Sequence, residues 1–286
     1  MTEPDGHGCR EILATRPSVG LAGRTMTNIV LDISDSVARI TIDRPERMNA
    51  FDIDTHEEFA AAIDRVENDD DIRVAVITGA GERSFCAGRD LKWTAEISRA
   101  SDEVRADADR RMAALTRLQF RHDITKPLIA RVNGVALGGG LELALACDII
   151  VAADHVEMGL PEARRGLIAG AMGIHRLPRH IPHHLAMGYL LTGRHFSAQR
   201  AAEIGLVNQI APIGELDAAV DTWVADIIRC SPAAIRATKQ SALDGLHLSL
   251  ADAGAYCGPM ESAWLTSSDR LEGPRAFADK RDPNWT

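Results

Sequence analysis

Aromatic side chains are scarce in this chain, 4% of its 286 residues, so its interior has to be built from Ala, Val, Ile and Leu. Positive charge is short as well. Lys and Arg number 32 against 41 Asp and Glu, a net charge of −9. That balance argues against a nucleic-acid-binding surface while leaving room for a local basic pocket. No apolar run is long enough to span a bilayer: the nearest, Val135 to Ala153, is interrupted by Glu142 and Asp148, so no membrane association is expected. The five cysteines (Cys9, Cys86, Cys147, Cys230 and Cys257) are odd in number and form no CxxC pair. This excludes a disulfide framework and a zinc ribbon and points to a reducing, cytoplasmic setting. Residues 1–27 have no apolar centre of the kind a signal peptide needs. Their acids Glu3, Asp5 and Glu11 count against a transit peptide. They are expected to form a flexible N-terminal extension. His180, His183 and His184 are close in sequence, but Pro182 breaks their helical spacing and no acidic or Cys partner is spaced with them. No metal site is expected there.

What is present is an ordinary globular composition, 45% hydrophobic and 26% charged, in a chain long enough for a substantial core. Two β-branched runs, 29–33 and 37–42, flank the Ser34-Asp35-Ser36 turn and predict a hairpin. Apolar Phe59, Ala62, Ile63 and Val66 recur at helical spacing and predict a helix over 54–68. Residues 72–78 form an unbroken run of the kind found in strands covered on both faces. A charged helix is expected over 95–121, strands over 127–132 and 148–152, a turn over 134–140 and a helix from 141. Alternating strands and helices indicate an α/β fold with largely parallel pairing. From about residue 215 the strand signals cease and helices follow.

The strongest local feature is Asn133-Gly134-Val135-Ala136-Leu137-Gly138-Gly139-Gly140-Leu141-Glu142. Three glycines between a strand and a helix allow a ligand to approach the backbone. The free N–H groups and dipole at the helix start favour an oxyanion. No Gly-Lys-Ser/Thr follows, so this is not a phosphate-binding P-loop. Glu142 opens the helix, and Glu162 opens another after Pro161. Each acid alone is what a helix N-terminus ordinarily attracts. Together, beside an anion-stabilising turn, they are suited to holding a water and dividing the roles of general acid and base. A second glycine loop, Ala87-Gly88-Arg89-Asp90, can supply another oxyanion donor.

The ordered set Ile42-Asp43-Arg44-Pro45-Glu46-Arg47-Met48-Asn49-Ala50-Phe51, Val76-Ile77-Thr78-Gly79, Phe85-Cys86-Ala87-Gly88-Arg89-Asp90-Leu91, the 133–148 stretch, Pro161-Glu162 and the C-terminal segment from Glu272 to Arg281 resembles the enoyl-CoA hydratase (crotonase) superfamily over roughly residues 28–283. The resemblance implies a crotonase-like spiral of ββα turns over 28–212 and a helical trimerisation region over 213–286. It implies an oxyanion hole made by the backbone amides of Arg89 and Gly139, with Glu142 and Glu162 as the acid/base pair and Gly170 orienting the water. Ala87, Leu91 and Lys92 would lie near the adenine end of coenzyme A, with Phe277 and Lys280 helping to cover it from across a subunit boundary. The implied function is reversible hydration of a trans-2-enoyl-CoA in fatty acid metabolism. Coenzyme A enters as part of the substrate, no prosthetic group is needed, and the assembly would be a homotrimer or a dimer of trimers (a homohexamer). Carnitinyl-CoA dehydration, enoyl-CoA isomerisation and non-catalytic acyl-CoA or RNA binding are the alternatives. Arg164 and Arg165, which follow Glu162 where simpler relatives are apolar, mark the acyl group as the open question.

Overall fold

The computed structural model describes residues 26–286, so the extension expected over 1–27 lies almost wholly outside the described residues. The chain opens with β1 (Ile29–Ser34) and β2 (Val37–Ile42), paired antiparallel from Ile29↔Ile42 to Ser34↔Val37. Asp35 and Ser36 make the two-residue turn, with φ of 49° and 64°, the left-handed geometry that matches the strand twist. Helix α1 (Ile53–Asn68) begins one residue before its expected start. Asp52 caps it by accepting from the Thr55 amide at 2.9 Å, and its Phe59, Ala62, Ile63 and Val66 are buried as the 3.6-residue period requires.

The next six strands come in pairs: β3 (Val74–Gly79) with β4 (Ser84–Cys86), β5 (Leu128–Val132) with β6 (Val135–Leu137), and β7 (Ile149–Ala153) with β8 (Glu157–Gly159). Each pair gives one strand to each of two sheets. The larger sheet runs β1-β2-β3-β5-β7-β10, closed by β10 (Gln209–Ala211). The smaller runs β4-β6-β8-β9, closed by the two residues of β9 (Phe196–Ser197). Pairing is parallel throughout β2-β3-β5-β7-β10 and β4-β6-β8. Repeated strand–strand–helix turns of this kind make a spiral. Val74, Ala75, Val76 and Ile77 are fully buried, as expected for a central parallel strand.

Two expectations need correction. The charged stretch 95–121 is not one helix but α2 (Leu91–Ser98) and α3 (Asp102–Ala114). Ser101 takes an extended backbone and caps α3 through the Val104 amide, ending any continuous run. The expected turn 134–140 contains β6, too short to show a period but tied between β4 and β8.

After α4 (Gly139–Ala144) come α5 (Gly173–His180), α6 (His183–Thr192), α7 (Ala198–Glu203) and α8 (Leu216–Ile228). From α8 onward every element is helical: α9 (Pro232–Gly245), α10 (Leu250–Ala255), α11 (Pro259–Leu265) and α12 (Asp269–Asp279). α8 packs on β3, β5, β7 and β10, whereas α9–α12 pack on one another. Among the described residues no helix is long and apolar enough to cross a membrane.

Candidate active site

The site is assembled by two backbone loops pressed together. Gly140 sits so close to the β4 strand that a Cβ there would lie 1.8 Å from the Cys86 carbonyl oxygen. One on Gly88 would lie 2.6 Å from the Gly139 nitrogen. Gly88 also has φ +84°, a conformation that costs a side-chain-bearing residue dearly. These glycines bring the start of α4 against the 87–90 loop, so the amides of Arg89 and Gly139 become neighbours. Phe51 donates to the Gly88 carbonyl and accepts from the Asp90 amide, both within 2.9 Å. In that parallel bridge the Arg89 amide points the other way. Gly139 is the first residue of α4, whose leading amides have no partner within the helix. Neither amide donates to another described residue.

Two buried asparagines clip the loops in place, and the sequence reading had not singled either out. Asn49, at φ 54°, accepts from the Arg44 amide and donates to the carbonyls of Ala80 and Ser84. Asn133 accepts from the Gly79 amide and donates to the carbonyls of Gly79 and Gly81. Asp90 anchors the far side: it caps α2 through the Lys92 and Trp93 amides and meets the buried Arg44, which also pairs with Asp52 at 2.6 Å. Asn49 lies in the 42–51 segment and Asn133 opens the glycine-rich 133–142 segment. Their signal was position beside tight turns, where a side-chain amide replaces missing backbone partners.

Glu142 is 3% exposed and its Oε1 accepts from the Gly173 amide at 2.9 Å. Burial pushes its carboxyl up to about 7. The Glu162 charge adds to the rise, and the Gly173 and Ala171 amides and the Arg117 charge oppose it. Glu162 stands on a 3₁₀ turn, Pro161–Arg165. Burial raises its pKa too, against its own backbone amide and Arg165. Its Oε2 is buried without a hydrogen-bond partner among the described residues. Its Oε1 faces Gly138, where a Cβ would stand 3.1 Å away. Two acids thus converge beside two free amides at a helix N-terminus: a proton-holding pair next to a site for negative charge.

The Gly170 amide donates to the Ile168 carbonyl at 2.8 Å, and Ala171 and Gly173 are the residues whose amides reach Glu142. Arg164 turns away, donating to the Thr192 carbonyl at 2.7 Å, while Arg165 stays near enough to act on Glu162. Cys86 is no nucleophile, since burial pushes its thiol up to about 12. Ala87 is partly covered, and Leu91 and Lys92 are exposed beside the 87–90 loop. Phe277 and Lys280, on and after α12, are exposed, Phe277 at 88%. No group of three His, Cys, Asp or Glu among the described residues is placed to hold a metal.

The enoyl-CoA hydratase/isomerase family model matches residues 32–286. This chain belongs to the enoyl-CoA hydratase/isomerase (crotonase) superfamily. It is 36% identical over 261 residues to an (E)-benzylidenesuccinyl-CoA hydratase of Thauera aromatica, covering 89% of this chain and 97% of that one. It is 39% identical over 258 residues to a carnitinyl-CoA dehydratase of Proteus mirabilis, covering 87% and 95%. The crystal structure of an enoyl-CoA hydratase from Bacillus anthracis superposes with a TM-score of 0.81 at 34% identity, covering 91% of this chain and 99% of that one. The enoyl-CoA hydratase of Mycobacterium tuberculosis does so with 0.79 at 38%, covering 91% and 98%. The protein is therefore an enzyme whose named relatives are hydro-lyases, in a family that acts on coenzyme A thioesters and needs no prosthetic group. The expected crotonase architecture is the one observed.

Proposed function

We propose that this crotonase adds water across the C2–C3 double bond of a trans-2-enoyl-CoA and, in reverse, dehydrates the 3-hydroxyacyl thioester. The observation that carries the proposal is the paired Glu142 and Glu162, both raised by burial, with the Glu162 charge adding to the rise at Glu142. Two such carboxyls favour holding one proton between them near neutral pH. The ionised member takes a proton from the water as its oxygen bonds to C3. The π electrons move toward the thioester, and the amides of Arg89 and Gly139 meet the charge on its oxygen. The protonated member then delivers its proton to C2. One proton enters the pair and one leaves, so the enzyme is returned unchanged. An oxyanion donor of this sort is worth about 2.7 to 4 kcal/mol in a transition state. The Thauera and Proteus relatives are named hydratase and dehydratase, the two directions of this chemistry.

Coenzyme A is placed along Ala87, Leu91 and Lys92, with Phe277 and Lys280 supplied by a second copy in a trimer or dimer of trimers. The assay is the fall in absorbance of the conjugated enoyl thioester when crotonyl-CoA and longer homologues are added. Turnover of at least one is expected; none across the panel overturns the proposal. Glu142→Gln and Glu162→Gln should each lower kcat by about 10²- to 10⁴-fold while coenzyme A binding survives. Full activity in either variant would remove that residue from the mechanism.

A further inference from the structure

Guanidinium groups that leave the surface of this acidic protein are met by a carboxylate or, as at Arg73 and Arg176, by backbone carbonyls. Arg44, Arg111, Arg121 and Arg131 are each at least two-thirds covered, and each has an Asp or Glu within 2.7 Å. Arg117 is different. It is partly buried, lies over the Phe120 ring at 4.7 Å, and among the described residues no oxygen accepts from its guanidinium. It lines a cavity with Phe51, His56, Phe59, Gln119 and Leu143. Two of those residues locate the cavity. Leu143 follows Glu142 in α4, and Phe51 is bridged to Arg89. The cavity therefore lies one residue along the chain from Glu142 and against the strand partner of Arg89, and the charge of Glu142 reaches Arg117.

Two charges of opposite sign act on Arg117, that of Glu142 more strongly and that of Arg89 less. Arg89 is exposed and likewise has no acid partner among the described residues. Its charge acts on Arg117 and on His56. His56 has its ring 4.8 Å from that of Phe51. Burial first, then the two arginines, bring its pKa down to about 3, so it is neutral and offers an N–H. Two neighbouring cations and a neutral imidazole beside an unfilled hydrogen-bonding position form a receptor for an anion. The cavity volume is ≈ 10 Å³, about the room of one water or one carboxylate oxygen.

We propose that the acyl group accepted by this site carries a carboxylate, bound by Arg117 with Arg89 alongside and His56 as a neutral donor. The inference rests on the hydratase reading and narrows its substrate class to mono-coenzyme A esters of unsaturated dicarboxylic acids. A cationic acyl group would be repelled by the same pair of arginines.

The test separates recognition from chemistry by using saturated thioesters, which cannot react. Glutaryl-CoA and pentanoyl-CoA differ by a terminal carboxylate, and their affinities for the full-length enzyme are measured by titration calorimetry. Glutaryl-CoA is expected to bind roughly 10- to 100-fold more tightly, the range of a charge-assisted hydrogen bond. Equal affinities for the wild type overturn the inference, whatever the hydration assay reports. A preference for glutaryl-CoA without hydration of any enoyl thioester would overturn the hydratase reading instead. In Arg117→Met the ratio of the two affinities should fall to near one, and Arg117→Lys should recover part of it, keeping the charge without the planar fork. If Arg117→Met weakens both ligands equally, Arg117 acts on Glu142 or on folding rather than on a substrate carboxylate, and the inference fails.

Discussion

At the scale of single residues, the site is held in an unfavourable protonation environment. Glu142 has an ordinary pKa of 4.5 and a folded value of about 7, raised mainly by burial. The sign of the consequence is fixed by linkage. The folded state prefers the protonated carboxyl, so its contribution to stability is fully present below about pH 4.5 and is lost as pH rises toward 7. At pH 8 the loss amounts to about 3 kcal/mol, at about 1.4 kcal/mol per pH unit. Glu142→Gln keeps an oxygen for the Gly173 amide and removes the charge. The variant should therefore be more stable than wild type at pH 8, by roughly 5 to 10 °C in melting midpoint for a chain of this size. That advantage should vanish near pH 4.5. Thermal melts at the two pH values check this; a variant no more stable at pH 8 would mean that water reaches the carboxylate and relieves its burial. Stability gained as activity is lost is the ordinary cost relation of a catalytic group. Glu142 and Glu162 were legible in the sequence because they follow glycine and proline at helix starts. Their coupling was not, since it depends on burial and on a third element, the Gly173 amide. Arg117 and His56 were illegible for the same reason: no local pattern marks an arginine that lacks a partner.

At the scale of elements, long segments announced themselves and short ones did not. The 29–42 hairpin, α1 and the buried β3 run each span enough residues to display a period or an unbroken apolar face. β4, β6, β8 and β9 hold two or three residues each, too few for any period, so the second sheet was invisible before the fold was known. The break between α2 and α3 shows the converse. Composition suggested one charged helix, but a single serine cap at Ser101 was enough to start a new one. The glycine turn belongs to this scale because its function is close packing between elements. Gly140→Ala would drive a methyl group onto the Cys86 carbonyl, and backbone cannot yield as a flexible side chain does. The expected outcome is about 3 kcal/mol of destabilisation in urea unfolding, the upper end for over-packing, together with loss of hydration as the Arg89 and Gly139 amides separate. A stable, active Gly140→Ala enzyme would show that the two loops have slack and that their contact does not form the oxyanion site.

At the scale of the whole molecule, the uneven distribution of apolar surface is the feature that remains to be accounted for. The spiral buries its aliphatic side chains in one continuous core, as a chain poor in aromatics must. Around α9–α12 several are left outside, as they are at Ile168 and Leu191, both 72% exposed. Leu246, Leu250, Leu271 and Phe277 are 74%, 91%, 57% and 88% exposed. Apolar surface gathered around these helices is the kind that marks a contact, and α12 carries Phe277, which is proposed above to reach coenzyme A across a subunit boundary. A second copy would cover that surface and meet the proposed role of Phe277, because a helical region with little core of its own gains one by packing against another subunit. Sedimentation should therefore give a mass three or six times that of the chain. Replacing Leu246 and Leu250 together by Asp should shift the distribution toward monomer, since a charge buried at an apolar contact is left unpaired. The same variant should bind acyl-CoA more weakly if Phe277 and Lys280 reach the cofactor of a neighbouring subunit, and dilution of the wild type should reproduce that weakening. A wild-type protein that sediments as a monomer yet hydrates enoyl thioesters at full rate would refute the shared site and confine coenzyme A to the 87–92 loop.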